Sequence, residues 1–507
     1  MRILFIVSDL FLGEPIGVLQ LSAILKQAGH GTKMVSIKKH SLKEALCNFN
    51  PGVIAYSTMS PDVPFFKNAD KVVRDWANQK GQKLLRVAGG PHPTFFPGIL
   101  KEMELDAICI GEGDRALVEM IRRYENGESL AGIPNVMVPG DKLEEIKKEL
   151  IGDLGKLPYI DRDIYYEAMP IYRSLRMRGF MVGRGCPYGC TYCHNHALKE
   201  LFKGCGKIVR RRPVENVIEE MKQVVAKYGP VKLLKISDDT FSHTIDHWLL
   251  EFIEAYRKEI RLPFYCLMRS NTLTEEMAKV LKSAGCVSIG MSVESGNEEI
   301  RNKVLNRGLT DAMVINSFKY ARKYGISTYG NTLLALPGTT FEDDYESFLF
   351  TKKLKMTAPT FGVFNPYPKL ALTDMAIEKG YLDHSYEQDH VFGIKSPLKY
   401  LTVEEKEMQL RLSSLGPLFS DLPDSFLPLF RQLLRLNGLF IYKPIGYAYL
   451  IIKTGLFIFP KVYPCNPLVI FKIFLQSLKY FIPKQTKTPS SLRVGNFPSR
   501  GYHHDCD

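Results

Sequence analysis

The sequence predicts an α/β protein: a Rossmann-like parallel sheet, then a partial (β/α)6 TIM barrel, then a helical C-terminal region. Short apolar runs alternate with helical patterns, which favours parallel strands joined by crossover helices. At 507 residues the chain is too long for one core. Apolar residues at 45% and charged residues at 24% are ordinary for a folded protein. We predict domains at 1–130 and 173–395, a linker at 131–172 and a C-terminal region at 396–507.

In the first segment, five apolar runs predict strands, and helical patterns separate them. The strands are Ile3–Val7, Lys33–Ile37, Val53–Ser57, Leu84–Ala88 and Asp106–Ile110. Ligands of parallel sheets bind beyond the carboxyl ends of the strands, and small residues there let a backbone approach a ligand closely. The candidate binding residues at these ends are Ser57, Thr58, Gly89, Gly90, His92, Gly111, Glu112 and Gly113. The first turn lacks a G-x-G-x-x-G fingerprint, which disfavours a dinucleotide.

The linker is rich in glycine, proline and charge, as inter-domain connections are. Six more apolar runs follow it, at Phe180–Gly183, Leu233–Ser237, Phe264–Met268, Val287–Val293, Ser327–Leu336 and Thr360–Asn365. Helical patterns intervene at Val217–Tyr228, His247–Lys258, Glu275–Ala284, Asp311–Tyr324 and Phe341–Leu354. This alternation predicts an incomplete (β/α)6 barrel whose site lies at the carboxyl ends of the strands. Polar candidates follow those ends: Asp238, Asp239, Arg269, Ser270 and Glu294.

Three cysteines, Cys186, Cys190 and Cys193, have the spacing Cys-x3-Cys-x2-Cys. Their thiolates can reach three corners of an iron–sulfur cube and leave the fourth iron open to a small molecule. The alternative is a zinc site completed by His194 or His196. Tyr192, just before the last cysteine, and the downstream motifs favour the cluster. Thiolates that hold iron need a reducing compartment, so we expect a cytoplasmic protein, and the apolar start resembles a buried strand more than an export signal.

The run from Arg184 to Cys193 resembles the signature of radical S-adenosylmethionine (radical SAM) enzymes. The first segment resembles the cobalamin-binding domain ahead of many such modules, through Glu14–Gly17, Ala88–Thr94 and Gly111–Leu117. The resemblance covers residues 1 to about 395. It implies that the three cysteines hold a 4Fe-4S cluster and that the strand-end residues of the first sheet bind cobalamin. It also implies a SAM site formed by Asp238, Asp239, Arg269, Ser270, Glu294 and Arg301.

Some features depart from the pattern of this family. Residues 9–14 offer no histidine, so the lower face of cobalt should lack an imidazole from this loop. Ala335 stands where relatives usually have glycine, and Thr339 where they have glutamate. A flavodoxin-like domain with a structural role or another ligand is the alternative for the first segment.

The resemblance implies reductive cleavage of SAM and, with cobalamin, methylation of an unactivated carbon in a small or lipid-like substrate. An electron donor such as flavodoxin or ferredoxin would supply the reducing equivalents. The rivals are a non-methylating cyclase or rearrangement enzyme, a methylthiotransferase acting on RNA, and a cobalamin and Fe-S sensor without turnover. Methylthiotransferases carry three further cluster cysteines in this first domain, which here has only Cys47 and Cys109. No nucleic acid partner is expected.

The C-terminal region carries most of the net charge. Residues 426–507 contain eleven Lys and Arg against two Asp, which is +9 of the chain's +13. Lysines at 443, 453, 461, 472 and 479 interrupt apolar stretches, so no uncharged run reaches the ~20 residues that span a bilayer. Apolar faces edged with basic residues are typical of peripheral membrane elements. The alternative is a helical cap packed on the barrel. The composition after Pro483 predicts a disordered end.

Overall fold

The computed structural model describes residues 1–8, 14–37, 40–384, 386, 395–436, 442–460 and 462. The described chain forms two compact units. The first comprises residues 1–151 and 156–172, and the second comprises residues 152–155 and the chain from Arg173 onward. Several predicted features lie outside the described residues: the loop at 9–13, Lys461, Lys472, Lys479 and the chain end after Pro483.

The first unit contains one six-stranded sheet with the order β2-β1-β3-β4-β5-β6. Its strands are β1 (Arg2–Val7), β2 (Gly31–Ser36), β3 (Val53–Ser57), β4 (Leu85–Gly89), β5 (Ala107–Cys109) and β6 (Val136–Met137). The first five strands are parallel, whereas β6 pairs antiparallel with β5. Nearly every residue of β1 is buried, as expected for a parallel strand covered on both faces. The five predicted strands are confirmed to within two residues at each end.

Helices cover this sheet and connect its strands. They are α1 (Ile16–Gln27), α2 (Leu42–Phe49), α3 (Val63–Lys80), α4 (Pro91–Phe95), α5 (Ile99–Glu102) and α6 (Ala116–Glu125). Ser41 begins α2 by accepting a hydrogen bond from the amide of Glu44, and Gly81 ends α3 with a left-handed φ of 60°. These local signals set where α2 begins and where α3 ends.

The predicted linker at 131–172 is largely ordered and packs on α1. It contains β6 and the helices α7 (Arg162–Ala168) and α8 (Pro170–Arg173). Asp161 accepts a hydrogen bond from Ser22 at 2.6 Å and forms an ion pair with Lys26 at 2.8 Å. The buried Arg162 binds Glu14 at 3.1 Å. Residues 156–172 are therefore part of the first unit in the structure, although their composition suggested a connection.

The second unit contains a parallel sheet with the order β14-β13-β12-β11-β10-β7. Its strands are β7 (Met177–Phe180), β10 (Leu233–Ile236), β11 (Phe264–Leu267), β12 (Cys286–Gly290), β13 (Ser327–Leu334) and β14 (Ala358–Val363). Between the first two lies a small antiparallel ribbon of β8 (Gly183–Arg184) and β9 (Arg210–Arg211). Six strands in sequential order, with β7 and β14 at the open edges, confirm the predicted partial barrel.

The helices of the barrel match the predicted helical patterns closely. They are α9 (His194–Leu201), α10 (Val214–Lys227), α11 (His247–Ala255), α12 (Glu275–Ser283), α13 (Asp311–Lys323), α14 (Phe341–Lys353) and α15 (Ala371–Glu378). Helix α14 begins with a capping box that Thr340 and Asp343 form. Helix α9, directly after the last cysteine, and helix α15 were not predicted.

Three C-terminal helices of the second unit pack against its barrel: α16 (Val403–Asp421), α17 (Leu427–Arg435) and α18 (Tyr442–Lys453). Leu412, Phe430 and Leu434 join residues of α14 and β14 in one buried apolar cluster. An edge strand of an open barrel exposes unpaired backbone groups, and covering it with helices protects it. At least one side of the C-terminal helices therefore forms a cap. No helix among the described residues is long and apolar enough to cross a bilayer.

Candidate functional site

The three cysteines lie in one loop at the carboxyl end of the barrel, between β8 and α9. All three side chains are partly buried. The loop folds tightly, since the amide of Cys193 donates to the carbonyl of Cys190 at 3.1 Å. Burial raises the pKa of the Cys193 thiol to about 11, with Cys190, Asp239 and Cys186 as charged neighbours. The mutual electrostatic effects show that the three thiols and Asp239 share one environment.

A second segment holds this loop from the far side. Thr191 donates its amide to the carbonyl of Leu305 at 3.2 Å and its hydroxyl to that of Val304 at 2.7 Å. Asn306 donates to the carbonyl of Gly189 at 2.8 Å. Hydrogen bonds that do not involve the cysteine side chains thus hold the cysteine loop against residues 304–306.

The structure separates Asp238 from Asp239, which the sequence could not do. Asp238 is buried, and its carboxylate accepts the backbone amides of Val182, at 2.8 Å, and Gly183. Burial raises the pKa of Asp238 to about 8. Asp239 is exposed and contributes to the electrostatic environment of Cys186 and Cys193. Asp238 therefore holds the backbone of Val182 and Gly183, just before the cysteine loop. The Asp239 carboxylate, in contrast, is available to a cationic ligand group.

Glu294 lies in a buried network with Tyr192 and Arg307. Tyr192, from the cysteine loop, donates its hydroxyl to Glu294 Oε1 at 3.1 Å, and Arg307 Nη1 donates to the same oxygen at 3.1 Å. Arg307 also donates to the hydroxyl of Tyr192. Burial raises the pKa of Glu294, and the Arg307 charge and the Tyr192 hydrogen bond oppose that effect. The backbone of Glu294 has a φ of 68°, a region that L residues adopt only when the surroundings impose it.

Arg269 and Ser270 follow β11 and face the same loop environment. The guanidinium of Arg269 lies 3.9 Å from the centre of the Tyr188 ring. Tyr188 stands between Cys186 and Cys190 in the sequence. Asn271 donates to the Tyr188 hydroxyl at 3.3 Å, and the His243 ring meets Tyr188 edge to face at 5.6 Å. Arg269 also donates to the carbonyl of Arg307. The ends of β10, β11 and β12 are therefore linked to the cysteine loop through aromatic and polar contacts.

Arg301 differs from the other predicted SAM residues. Its side chain is fully buried, and it donates to the carbonyls of Leu309 at 3.0 Å and Ser295 at 2.9 Å, and to Asp311. These contacts use all three of its nitrogen atoms within the protein and hold the turn after Glu294. A contact between Arg301 and SAM stays a prediction, and the geometry favours a supporting role.

Buried polar atoms without a partner collect around the cysteine loop. In the described part of the chain they include Nε of Arg269, Oγ of Ser270, Nε of Arg307, and Nδ1 of both His196 and His243. Such atoms are costly unless a ligand or water completes their hydrogen bonds. Their abundance here fits a site for a polar ligand such as SAM. No three His, Cys, Asp or Glu side chains among the described residues converge on a single-ion site, and a cube does not require this because each thiolate binds a different iron.

Ala335 adopts a left-handed backbone with a φ of 56° at the end of β13. Glycine is the usual residue for that conformation, which gives a physical reason for the glycine that relatives usually have at this position. Both carboxylate oxygens of Asp344 accept the Ala335 amide at 3.0 Å, and Gln409 of α16 donates to Asp344 at 2.7 Å. A C-terminal helix therefore takes part in fixing a strand end of the barrel.

In the first unit, the predicted binding residues gather at the carboxyl edge of the sheet. The amide of Thr58 donates to the carbonyl of Gly89 at 2.9 Å, and the amide of His92 donates to the carbonyl of Thr58 at 3.2 Å. Gly90 has a φ of 101°, and a Cβ there would lie 2.9 Å from the carbonyl oxygen of Thr58. The amide of Gly111 donates to Thr94 at 3.0 Å, which joins the end of β5 to the same edge.

The edge is lined by small residues and backbone groups. Ser57 lies at the end of β3, and Gly113 follows β5, where a Cβ would lie 3.5 Å from Cys109 Sγ and 3.6 Å from the Leu21 side chain. This donor set suits a bulky, uncharged polar ligand face such as the corrin side chains of cobalamin. Glu112 instead accepts the amide of Ile151 at 2.8 Å, so its carboxylate supports the following segment.

His92 is held within its own loop. Its Nδ1 lies 3.0 Å from the Ser60 hydroxyl, and its ring stacks on Phe96 with centroids 5.1 Å apart. Burial lowers the pKa of His92 to about 4, so the ring is neutral at physiological pH. These contacts favour a loop-shaping role, and binding to cobalamin stays a prediction.

Sequence reasoning missed Tyr188, His243 and Arg307 as members of the site. Arg307 does not directly follow a strand, and it lies 13 residues beyond Glu294 in the sequence. Tyr188 and His243 join the site through ring contacts that no spacing rule predicts.

Comparisons with known proteins agree with this geometry. Residues 4–121 match the model of the B12 binding domain, and residues 180–350 match the radical SAM superfamily. An uncharacterized methyltransferase of Pyrococcus horikoshii is 25% identical, over 79% of this chain and 86% of its own. Cytidylyl-2-hydroxyethylphosphonate methyltransferase of Streptomyces wedmorensis is 22% identical, over 73% and 79%. Anaerobic magnesium-protoporphyrin IX monomethyl ester cyclase of Cereibacter sphaeroides is 25% identical, over 70% and 59%.

Two solved structures share the fold. The cobalamin-dependent SAM radical enzyme OxsB superposes with a TM-score of 0.66 at 14% identity, covering 94% of this chain and 80% of OxsB. The radical SAM methyltransferase TsrM of Kitasatospora setae gives a TM-score of 0.60 at 17% identity, covering 75% and 76%. The cofactors that go with the two matched domains are a 4Fe-4S cluster, SAM and cobalamin. With a B12-binding domain followed by a radical SAM domain, the chain belongs to the cobalamin-binding radical SAM enzymes.

Proposed function

We propose that this enzyme methylates an unactivated carbon of a small or lipid-like substrate. The observation that carries the proposal is the similarity to two methyltransferases across 79% and 73% of the chain, lengths that must include parts of both domains. The cyclase relative covers a smaller share of its own length, 59%. When bound, the cluster and SAM supply hydrogen abstraction from carbon, and methylcobalamin supplies the methyl group.

The residues of the barrel would divide the work of binding and orientation. The three cysteines, Cys186, Cys190 and Cys193, would hold the cluster. Hydrogen bonds from the side chains of Thr191 and Asn306 to backbone carbonyls hold their loop in place. Asp239 would accept a hydrogen bond from the SAM ammonium group, because its carboxylate is exposed beside the thiols. Glu294 would meet the ribose hydroxyls, and its place in the network with Tyr192 fixes its position relative to the cysteine loop.

Arg269 and Ser270 would complete the SAM site. Each has a buried polar atom that finds no partner within the described protein, so a ligand group would satisfy it. In the first unit, Ser57, Thr58, Gly89, Gly90, Gly111 and Gly113 would form the edge against which cobalamin lies. The proposal keeps the four parts predicted from the sequence, which are residues 1–130, 131–172, 173–395 and 396–507. Within the second part, residues 156–172 belong to the first compact unit.

The test is anaerobic reconstitution with iron, sulfide and cobalamin, followed by incubation with SAM, a reductant and candidate substrates. Methylation increases the mass of the product by one CH2 unit, and label from methyl-labelled SAM should appear in it. A product without added carbon would contradict methylation and favour the cyclase alternative, which the similarity to the protoporphyrin cyclase supports. Absence of 5′-deoxyadenosine with every candidate would instead favour a sensor without turnover.

Partners and location form part of the same proposal. The redox chemistry requires an electron donor, and flavodoxin or ferredoxin would deliver electrons in the reducing cytoplasm. A lipid-like substrate would be reached most directly from the inner face of the membrane, through peripheral contact of the C-terminal region. Reduction of the reconstituted cluster by flavodoxin or by ferredoxin, followed by electron paramagnetic resonance, tests the donor directly.

A further inference from the structure

A row of large apolar side chains is exposed along α18 and its continuation at Thr454–Ile458. The exposed fractions are 44% for Ile445, 58% for Ile452, 62% for Leu456 and 48% for Phe457. Ile445 and Ile452 are one heptad apart, and Leu456 is about one further turn away, so these three lie along one side of the helix. We call these four residues the α18 stripe.

The opposite side of the same helix is fixed to the barrel. Gly446 packs so closely against α16 that a Cβ would lie 1.8 Å from the carbonyl oxygen of Ser414. Ile458 is buried with Tyr265 and Ala358, and its carbonyl accepts the Ser288 hydroxyl at 2.6 Å. The helix therefore cannot rotate to bury the stripe against the barrel. The sequence left a cap and a membrane element as alternatives. One side of α18 packs on the barrel as a cap, and the other side exposes apolar residues, as a membrane element would.

Exposed apolar residues scattered singly are ordinary, whereas a row of them on one helix indicates a binding surface. Of the thirteen large apolar residues exposed in the described structure, seven lie between Phe426 and Phe457. Exposed apolar side chains are therefore concentrated on the C-terminal helices more than on the rest of the described surface.

Charge identifies the partner. No acidic residue occurs from Phe426 to Pro460, and this stretch carries Arg431, Arg435, Lys443 and Lys453, a net +4. The nearby Asp421 is already bound by Tyr449 and Lys453. A second copy of the chain would bring the same positive charge against this surface, which opposes self-association. Anionic phospholipid headgroups complement it, and the acyl region just below them accepts the apolar side chains.

We propose that the α18 stripe inserts into the interfacial region of an anionic phospholipid bilayer and holds the enzyme at the membrane surface. Lys443, in the first turn of α18, is partly exposed and would meet lipid phosphates. Access to a lipid-like substrate is a consequence that rests on the proposed function. Attachment does not, and it is measured without SAM or reductant, so failure of one does not imply failure of the other.

The test is cosedimentation of the full-length, cluster-loaded protein with vesicles of phosphatidylglycerol and phosphatidylcholine, against phosphatidylcholine alone. The wild type should sediment with the anionic vesicles. The double variant Ile452→Glu, Leu456→Glu should bind at least about tenfold more weakly, because two charges replace inserted side chains. The matched control is Leu250→Glu, Met313→Glu, on α11 and α13, where the exposed fractions are 51% and 45%. This control should bind like the wild type.

Two outcomes overturn the proposal: wild-type protein that stays in the supernatant, and a stripe variant that binds as well as the wild type. Depth is tested separately with Phe457→Trp, whose fluorescence should be quenched by brominated acyl chains. Leu250→Trp is the control and should not be quenched. A doubled mass in light scattering, lost in the stripe variant, would assign the surface to a second copy and would also overturn the proposal.

Discussion

Arg307 Nη1 lies 3.1 Å from Oε1 of Glu294, and both side chains are buried beside the cysteine loop. The same nitrogen also binds Tyr192, which precedes the last cysteine. One guanidinium thus connects the turn after β12 to the loop that would hold the cluster. The predicted SAM site and the predicted cluster site would therefore share a structural support, so a change at Arg307 should affect both.

Arg307→Met should lower the free energy of unfolding by about 3–5 kcal/mol, because it leaves the buried Glu294 carboxylate without its charged partner. Adding Glu294→Gln should recover part of that loss, since the uncompensated charge disappears. Anaerobic urea unfolding of the three variants and the wild type measures both effects. A loss below about 1 kcal/mol for Arg307→Met would show that the pair contributes little.

Replacing any one of Cys186, Cys190 and Cys193 by alanine should abolish binding of a 4Fe-4S cluster. Each thiolate would bind a separate iron, so no remaining ligand can substitute. Iron and sulfide analysis after anaerobic reconstitution provides the measurement. Cys205→Ala is the control, because Cys205 follows α9 outside the cysteine loop and forms no disulfide bond. This variant should retain the cluster. Zinc in place of iron in the purified, oxygen-free protein would contradict the assignment.

Asp239→Asn should weaken SAM binding about 10- to 150-fold, which corresponds to the loss of one hydrogen bond to a charged group. The cluster content should be unchanged, since no hydrogen bond joins the Asp239 carboxylate to the cysteine loop among the described residues. Calorimetric titration of SAM into the cluster-loaded protein measures the affinity. Asp75→Asn, an exposed carboxylate on α3, is the matched control. Equal SAM affinity in both variants would remove Asp239 from the site.

Asp238 should make the protein less stable as the pH rises. Burial raises its folded pKa to about 8, far above its unfolded value. Between those two values the folded state holds a proton that the unfolded state lacks, so the stabilisation is complete below the unfolded pKa and is lost as the pH rises toward 8. The slope is up to about 1.4 kcal/mol per pH unit.

The measurement is urea unfolding at pH 6 and pH 8 for the wild type and Asp238→Asn. The variant should show a smaller fall in the free energy of unfolding, because an amide does not titrate. Asp344, whose pKa burial also raises to about 8, remains in both proteins and contributes equally. An identical fall in the two proteins would argue against a protonated Asp238.

Gly90→Ala should impair cobalamin binding. A left-handed φ disfavours alanine by about 1–2 kcal/mol, and the new Cβ would press on the carbonyl of Thr58 at the binding edge. Gly127→Ala is the control, since Gly127 has a φ of 71° and no atom within 4 Å of the added Cβ. Both variants should lose stability from backbone strain, and Gly90→Ala should lose more because of its contact with Thr58, while only Gly90→Ala should reduce the cobalamin absorbance after gel filtration. Equal retention of cobalamin would place the ligand elsewhere.

Local pattern was enough to predict most elements of both sheets. Buried parallel strands such as Val53–Ser57 are continuous apolar runs, and their connecting helices have their own start signals, such as the Thr340 capping box. The three cysteines also carry their information in spacing alone. In contrast, composition suggested that residues 156–172 form a connection, although Asp161 and Arg162 anchor that segment to the first unit. Composition reports how polar a segment is, not which partners satisfy it.

The sequence by itself determined the order of domains, the strands and the cysteine loop, because these depend on periodicity and on residues close together in the chain. Only the tertiary structure separated Asp238 from Asp239, paired Glu294 with Arg307, and showed two different sides of α18. Those distinctions depend on which backbone groups and charges meet across the barrel. Burial and hydrogen bonding decide that, and they are set by residues far apart in sequence.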